Sequence, residues 1–148
     1  MSVAALTIKS NAGLLRQLIS LVDITVPNTN TKNQYKAIWD TGASGTVITQ
    51  VIVDNLGIIP TGMAIVHTAN GQARQYTYIV DISLNEAIIF KDVTVTCAVA
   101  FSGGCNILIG MNIISQGDFS ITNLNGNTCM SFRKPSQHEV DFCKNSNT

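Results

Sequence analysis

The chain has 148 residues and a mass of 15.9 kDa, which is one domain's worth at the usual ~100–200 residues each. Nine Lys and Arg balance nine Asp and Glu, so the chain lacks the basic surplus of a nucleic-acid interface. With 45% hydrophobic and 12% charged residues, the composition excludes a disordered chain.

Ile, Val and Thr make up 45 of the 148 residues, which points to a strand-rich protein. In chain order, Thr7–Lys9 reads as a short N-terminal strand. Leu14–Val26 is mostly apolar and ends at Pro27, which a central ladder does not tolerate. Asn28–Asn33 is a polar turn, and Gln34–Trp39 is the second strand of the hairpin, delivering Asp40 at a strand end. Thr46–Leu56 places Val47, Val51 and Leu56 near helical spacing, with Gly57 where a C-terminal cap belongs. Ala64–Thr68 and Ala73–Leu84 flank Asn70-Gly71, a hairpin signal for a type I′ turn with positive φ at both central residues. Strands are expected at Ala87–Phe90 and Val93–Phe101, then a loop at Ser102–Gly104 and a short buried strand at Asn106–Ile109. A short helix at Met111–Gln116 follows, and Asp118–Thr122 and Thr128–Phe132 pair around Asn125-Gly126. The expected organisation is one domain over residues 1–136 and a polar, fraying tail over residues 137–148.

No apolar run reaches the ~18 residues that would span a bilayer. Ala12–Val22 mimics a signal segment but is broken by Arg16 and Gln17, and it lacks a basic flank and a small-residue cleavage site. A soluble, unexported, cytoplasmic protein is expected. Cys97, Cys105, Cys129 and Cys143 show no C-x-x-C spacing, and neither His67 nor His138 has a partner at ligand spacing. Free thiols, ordinary histidines, no metal and no cofactor are the expectation.

Two segments concentrate the chemistry. Ala37–Ser44 (AIWDTGAS) is an apolar strand running into a carboxylate, a hydroxyl and a glycine. Gly42 allows backbone N–H groups to approach the Asp40 carboxylate, and the Thr41 hydroxyl can bridge. Asn106–Ile114 (NILIGMNII) is an apolar strand meeting a glycine and then a helix, able to place a close-packed glycine behind the first segment. Asp-Thr-Gly alone is a common turn composition. Its value lies in the order: the triplet, an Asn-Gly hairpin further on, then the apolar-apolar-Gly junction.

With these motifs the chain resembles the retropepsin-like aspartic proteases, single-lobe relatives of pepsin, and most of all their bacterial members. The likeness runs over roughly Leu14–Ser136 and rests on DTGAS at Asp40–Ser44 and ILIG at Ile107–Gly110, with GMNIISQGDF and SFRKPS in support. The resemblance implies a mainly β, single-lobe acid-protease barrel with one or two short helices and a flap hairpin. It implies that Asp40 is the catalytic carboxylate and that the Thr41 hydroxyl locks two active-site loops together across a dimer. It makes Gly42 and Ala43 part of the same supporting loop. Asn70 and Gly71 become the flap tip, and Leu108, Ile109 and Gly110 the packing behind the site. The chain departs from the retroviral pattern at Ser44 and Met111, where those proteases carry an acid and an arginine that brace the dimer.

Aspartic-protease chemistry needs two carboxylates around one water, one acting as base and one as acid. Of the seven aspartates only Asp40 is followed by Thr-Gly, so an active form must be a homodimer contributing one Asp40 from each copy. Ala43 cannot donate a hydrogen bond that would favour the charged pair, so a mildly acidic to near-neutral working range is expected. The expected partner is a peptide or protein substrate laid in by strand addition, its side chains mostly apolar, with no nucleic acid and no membrane. Two alternatives stay open: a non-catalytic peptide-binding or regulatory module on the same fold, and a structural β-domain in which the triplet is only a turn.

Overall fold

The structure, a computed structural model, describes residues 2–144. Ten strands and two short helices follow one another as β1 (Ala4–Lys9), β2 (Ile19–Thr25), β3 (Lys32–Trp39), β4 (Val47–Thr49), α1 (Gln50–Leu56), β5 (Gly62–Thr68), β6 (Gly71–Ser83), β7 (Ile89–Ala98), β8 (Ile107–Ile109), α2 (Met111–Ile114), β9 (Asp118–Thr122) and β10 (Cys129–Lys134). No described helix is long and apolar enough to cross a membrane.

Period-two burial explains the strands. In β2, Ser20, Val22 and Ile24 point inward, and in β3 it is Tyr35, Ala37 and Trp39. Seven strands hydrogen-bond in the order β2-β3-β8-β4-β7-β6-β5, and β2 pairs a second time with β6. That second pairing closes six strands on themselves and leaves β5 as the hairpin partner of β6. A separate sheet, β1-β10-β9, packs on this barrel. Its Met130 and Phe132 are fully buried, and the Phe132 ring lies 5.5 Å from Trp39 and 6.5 Å from Phe90. The barrel core and the small sheet therefore share one hydrophobic centre directly behind the strand that ends at Asp40.

The hairpin of β2 and β3 forms, but β2 begins at Ile19 and not Leu14, and β3 already at Lys32, inside the expected turn; the β9–β10 pair forms as expected, and its turn holds Asn125 at φ 54° and Gly126 at φ 75°. Gly57 caps α1 at φ 63°, its N–H bonded to the Val53 carbonyl at 2.9 Å. The N-terminal strand is longer than the expected Thr7–Lys9, because Ala4–Leu6 also pair with β10.

Four expectations change. Val47–Thr49 is a strand and not the start of the helix; it is captured between β7 and β8, and α1 begins only at Gln50. Ala87–Phe90 and Val93–Phe101 do not make two strands; β7 runs from Ile89 to Ala98 through a bulge with Asp92 at φ 52°. The buried Asp81 carboxylate holds that bulge, accepting from Lys91 Nζ at 3.1 Å and from the Asp92 N–H at 2.9 Å. In the β5–β6 hairpin Thr68 pairs with Gly71, so the loop is Ala69-Asn70 and only Gly71, at φ 110°, takes a positive φ. The chain does not simply fray after Pro135 either. Asp118 accepts from the Ser136 hydroxyl, the Gln137 N–H and Arg133 Nε, and these bonds hold its carboxyl well below the usual carboxylate range. Residues 145–148 of the expected tail lie outside the described residues.

Candidate active site

Trp39 ends β3 with its side chain in the core, only 6% exposed, stacked on Phe119 with centroids 5.5 Å apart. Its indole N–H donates to the buried Ser20 hydroxyl at 2.9 Å, and its backbone N–H to the Leu18 carbonyl at 2.9 Å. The next residue, Asp40, leaves the strand half-buried, so its Cα is fixed by a clamped neighbour while its carboxylate stays accessible.

Parallel pairing sets ILIG beside this strand: Ala37 opposes Ile107, Ile38 opposes Leu108, and Trp39 opposes Ile109. The Asp40 N–H donates to the Ile109 carbonyl at 2.9 Å. On the carboxylate side, the Gly42 N–H donates to Asp40 Oδ1 at 2.8 Å. A Cβ on Gly42 would stand 3.2 Å from that oxygen, which is why a glycine suits the position. The predicted loop residues Asp40, Thr41, Gly42 and Ala43 thus form one turn, closed by an Ala43 N–H bond to the Asp40 carbonyl at 3.3 Å. Thr41 is exposed, and its hydroxyl has no hydrogen-bond partner among the described residues.

Gly110 provides the close packing. A Cβ there would lie 2.2 Å from the Gly45 carbonyl oxygen and 3.0 Å from that of Ala43. The two segments are then laced by backbone bonds, Met111 N–H to the Ala43 carbonyl at 2.7 Å and Asn112 N–H to the Ser44 carbonyl at 3.1 Å. Ser44 and Met111 are not bonded to each other; main chain instead ties Met111 to Ala43 and Ser44 to Asn112.

Sequence reasoning missed the side chain that completes the lacing. Thr46 is 1% exposed; its hydroxyl accepts from the Gly110 N–H at 3.2 Å and donates to Asn112 Oδ1 at 2.7 Å. A second pair repeats the device at the end of β4, with Thr49 Oγ1 donating to Asn106 Oδ1 at 2.8 Å. A threonine inside a glycine-rich loop carries no periodic signal, although Thr46 and Thr49 sit at a regular spacing with Asn residues flanking ILIG.

Loop Gly42–Val47 faces strand β5 and the Thr94 and Thr96 side of β7 across a cleft of about 520 Å³. Ile65, Val66 and His67 of β5 line it, whereas Asn70 and Gly71 sit exposed at the hairpin end and do not. Among the described residues no group of three or more His, Cys, Asp or Glu could hold a metal ion.

A family model described as gag-polyprotein putative aspartyl protease matches residues 27–116, a span that contains both Asp40–Ser44 and Ile107–Gly110. The chain belongs to this family. Its fold is that of the retropepsin-like proteases. A retropepsin-like aspartic protease from Rickettsia conorii superposes with a TM-score of 0.52 at 17% identity, covering 90% of this chain and 96% of that one. EIAV protease, in complex with an inhibitor, gives a TM-score of 0.56 at 16% identity, with 72% and 92% covered. No curated protein sequence matches the chain.

Proposed function

We propose that this family member is an aspartic endopeptidase, active as a two-fold homodimer in which two Asp40 carboxylates share one water and one proton. The observation that carries this reading is the Asp40 turn: a single carboxylate, oriented by the Gly42 N–H and anchored at the end of a core strand by the Ile109 carbonyl. In that reading one Asp40, ionised, takes a proton from the water as it attacks the scissile carbonyl. The other, protonated, donates to the carbonyl oxygen and later to the departing amine.

Dimerisation follows from the count, since only Asp40 among the aspartates is set in Asp-Thr-Gly. The unpartnered Thr41 hydroxyl at the exposed rim suits a contact with the equivalent loop of a second copy. In this reading the β5–β6 hairpin serves as the flap, with Asn70 and Gly71 at its tip, and Leu108, Ile109 and Gly110 act as the packing that keeps Asp40 in place.

Sedimentation equilibrium on wild type and Asp40→Asn, with cleavage of a random peptide pool near pH 5–6, tests the proposal. A dimer in both proteins with cleavage only in wild type is the expected result. A wild type that stays monomeric and inert at high concentration refutes the unaided shared dyad and favours a non-catalytic peptide-binding module.

A further inference from the structure

The cleft beside the Asp40 loop has a mixed lining. Apolar Val47, Ile65 and Val66 contribute to it, but so do Ser44, Thr94, Thr96 and His67. The hydroxyls of Ser44, Thr94 and Thr96 have no hydrogen-bond partner among the described residues. Thr94 and Thr96 are two apart on β7, so they present on the same face while Val95 between them turns into the core. No aspartate or glutamate lines the cleft. The whole hairpin from Gly62 to Val80 carries one formal charge, Arg74, which sits opposite Ile65 in the β5–β6 register.

This combination selects against two of the three broad classes of side chain. A large apolar group would strip water from the free hydroxyls and the imidazole and return no hydrogen bond to them. A lysine or arginine would find no carboxylate among the lining residues, Asp40 being turned to the Gly42 N–H, and would lie on the hairpin that carries Arg74. A carboxylate brings two acceptor oxygens to a set of available donors, and such charge-assisted bonds are the stronger kind.

We propose that the cleft between loop Gly42–Val47 and strand β5 is a subsite that takes an acidic side chain of the bound peptide. The proposal rests on the peptide-cleaving reading of the same site, and the test keeps the two apart. Fluorescent extended peptides carrying Glu, Gln, Leu or Lys at one position in turn are titrated against the Asp40→Asn protein and followed by anisotropy. At one position along the peptide Glu is expected to bind about tenfold more tightly than Leu or Lys, the factor that roughly one net hydrogen bond supplies. His67→Leu and a Thr94→Val, Thr96→Val pair should each bring the Glu-to-Leu ratio at that position towards unity. Thermal melts confirm that these variants fold, and His67, being exposed, is the safer change.

Equal or weaker binding of Glu at every position overturns the subsite, and so does a Glu preference that survives both variants. Cleavage of the same peptides by wild type then separates the readings. Glu-selective binding with no cleavage by wild type removes the protease and leaves the subsite. Cleavage without any Glu preference does the reverse, and a protein that neither binds nor cleaves removes both.

Discussion

Replacing Gly110 by alanine puts a methyl carbon 2.2 Å from the Gly45 carbonyl oxygen and 2.6 Å from its carbon. Both contacts are to backbone, so no side chain can rotate out of the way. Restoring ordinary van der Waals separation means that loop Gly42–Gly45 retreats from β8 and α2 by more than about 1 Å. The retreat stretches three bonds at once: Met111 N–H to Ala43 at 2.7 Å, Asn112 N–H to Ser44 at 3.1 Å, and Gly110 N–H to Thr46 at 3.2 Å. Overpacking of this kind costs about 1–3 kcal/mol, and each weakened bond adds ~0.5–1.5 kcal/mol. A net destabilisation of roughly 3–7 kcal/mol is expected, or a fall in Tm of about 10–20 °C for a chain of this size.

The same displacement moves the Asp40 turn. A ~1 Å misplacement of a reacting group costs on the order of 10²-fold in rate, so peptide cleavage should fall by about that factor at temperatures where the variant is still folded. Gly45→Ala is the control, because a Cβ on Gly45 meets nothing within 4 Å. Thermal and urea melts of both variants beside wild type read the stability, and initial rates on one peptide read the geometry. The reasoning fails if Gly110→Ala melts within ~2 °C of wild type, or if Gly45→Ala is as costly as Gly110→Ala.

Thr46→Val should lose about 1–3 kcal/mol in urea denaturation, since it leaves the Gly110 N–H and Asn112 Oδ1 without their partner, while Thr46→Ser should recover most of it. A Thr46→Val variant as stable as wild type would mean that the hydroxyl contributes nothing there, and equal losses in the two variants would mean that the methyl counts as much as the hydroxyl. Asp118 titrates below its ordinary value of 3.8, so its contribution is complete at neutral pH and is lost as pH falls through and below that value. The stability gap between wild type and Asp118→Asn, measured by denaturant titration, should therefore be full at pH 6 and narrow by pH 3; a gap independent of pH contradicts the assignment.

What could be read in the sequence was whatever a local pattern encodes. A mostly apolar run and a polar turn placed the β2–β3 hairpin, though not the start of β2, and so delivered Asp40 at a strand end. Gly57 announced the end of α1 because a left-handed cap suits that residue. The glycine after an apolar triplet announced close packing, and Gly110 meets the Asp40 loop as that pattern requires. The missed features are those whose cause lies elsewhere in the chain. Three residues of β4 are too short for any periodicity to register, and Val47, Ile48 and Thr49 become a strand because β7 and β8 supply partners on both sides. Asp92 adopts a positive φ within β7 where the buried Asp81 carboxylate takes its N–H, a pairing eleven residues apart that no window of sequence displays.

The site divides along the same line. Asp40, Gly42 and Gly110 are legible because local geometry dictates them: a carboxylate needing a nearby N–H, one glycine where a Cβ would crowd that carboxylate, and one where it would collide with backbone. Thr46, Asn112 and the hydroxyls of the cleft are not, because side-chain hydrogen bonds across 66 residues leave no trace in either segment alone. The lacing they form has a functional corollary. In this chain the Asp40 loop is tied to β8 and α2 by main-chain bonds and by one buried threonine, all within a single copy. These bonds fix the loop without any contact from a second copy. On the proposed mechanism, a monomer should therefore hold Asp40 already oriented, and a dimer would add the second carboxylate to a finished half-site.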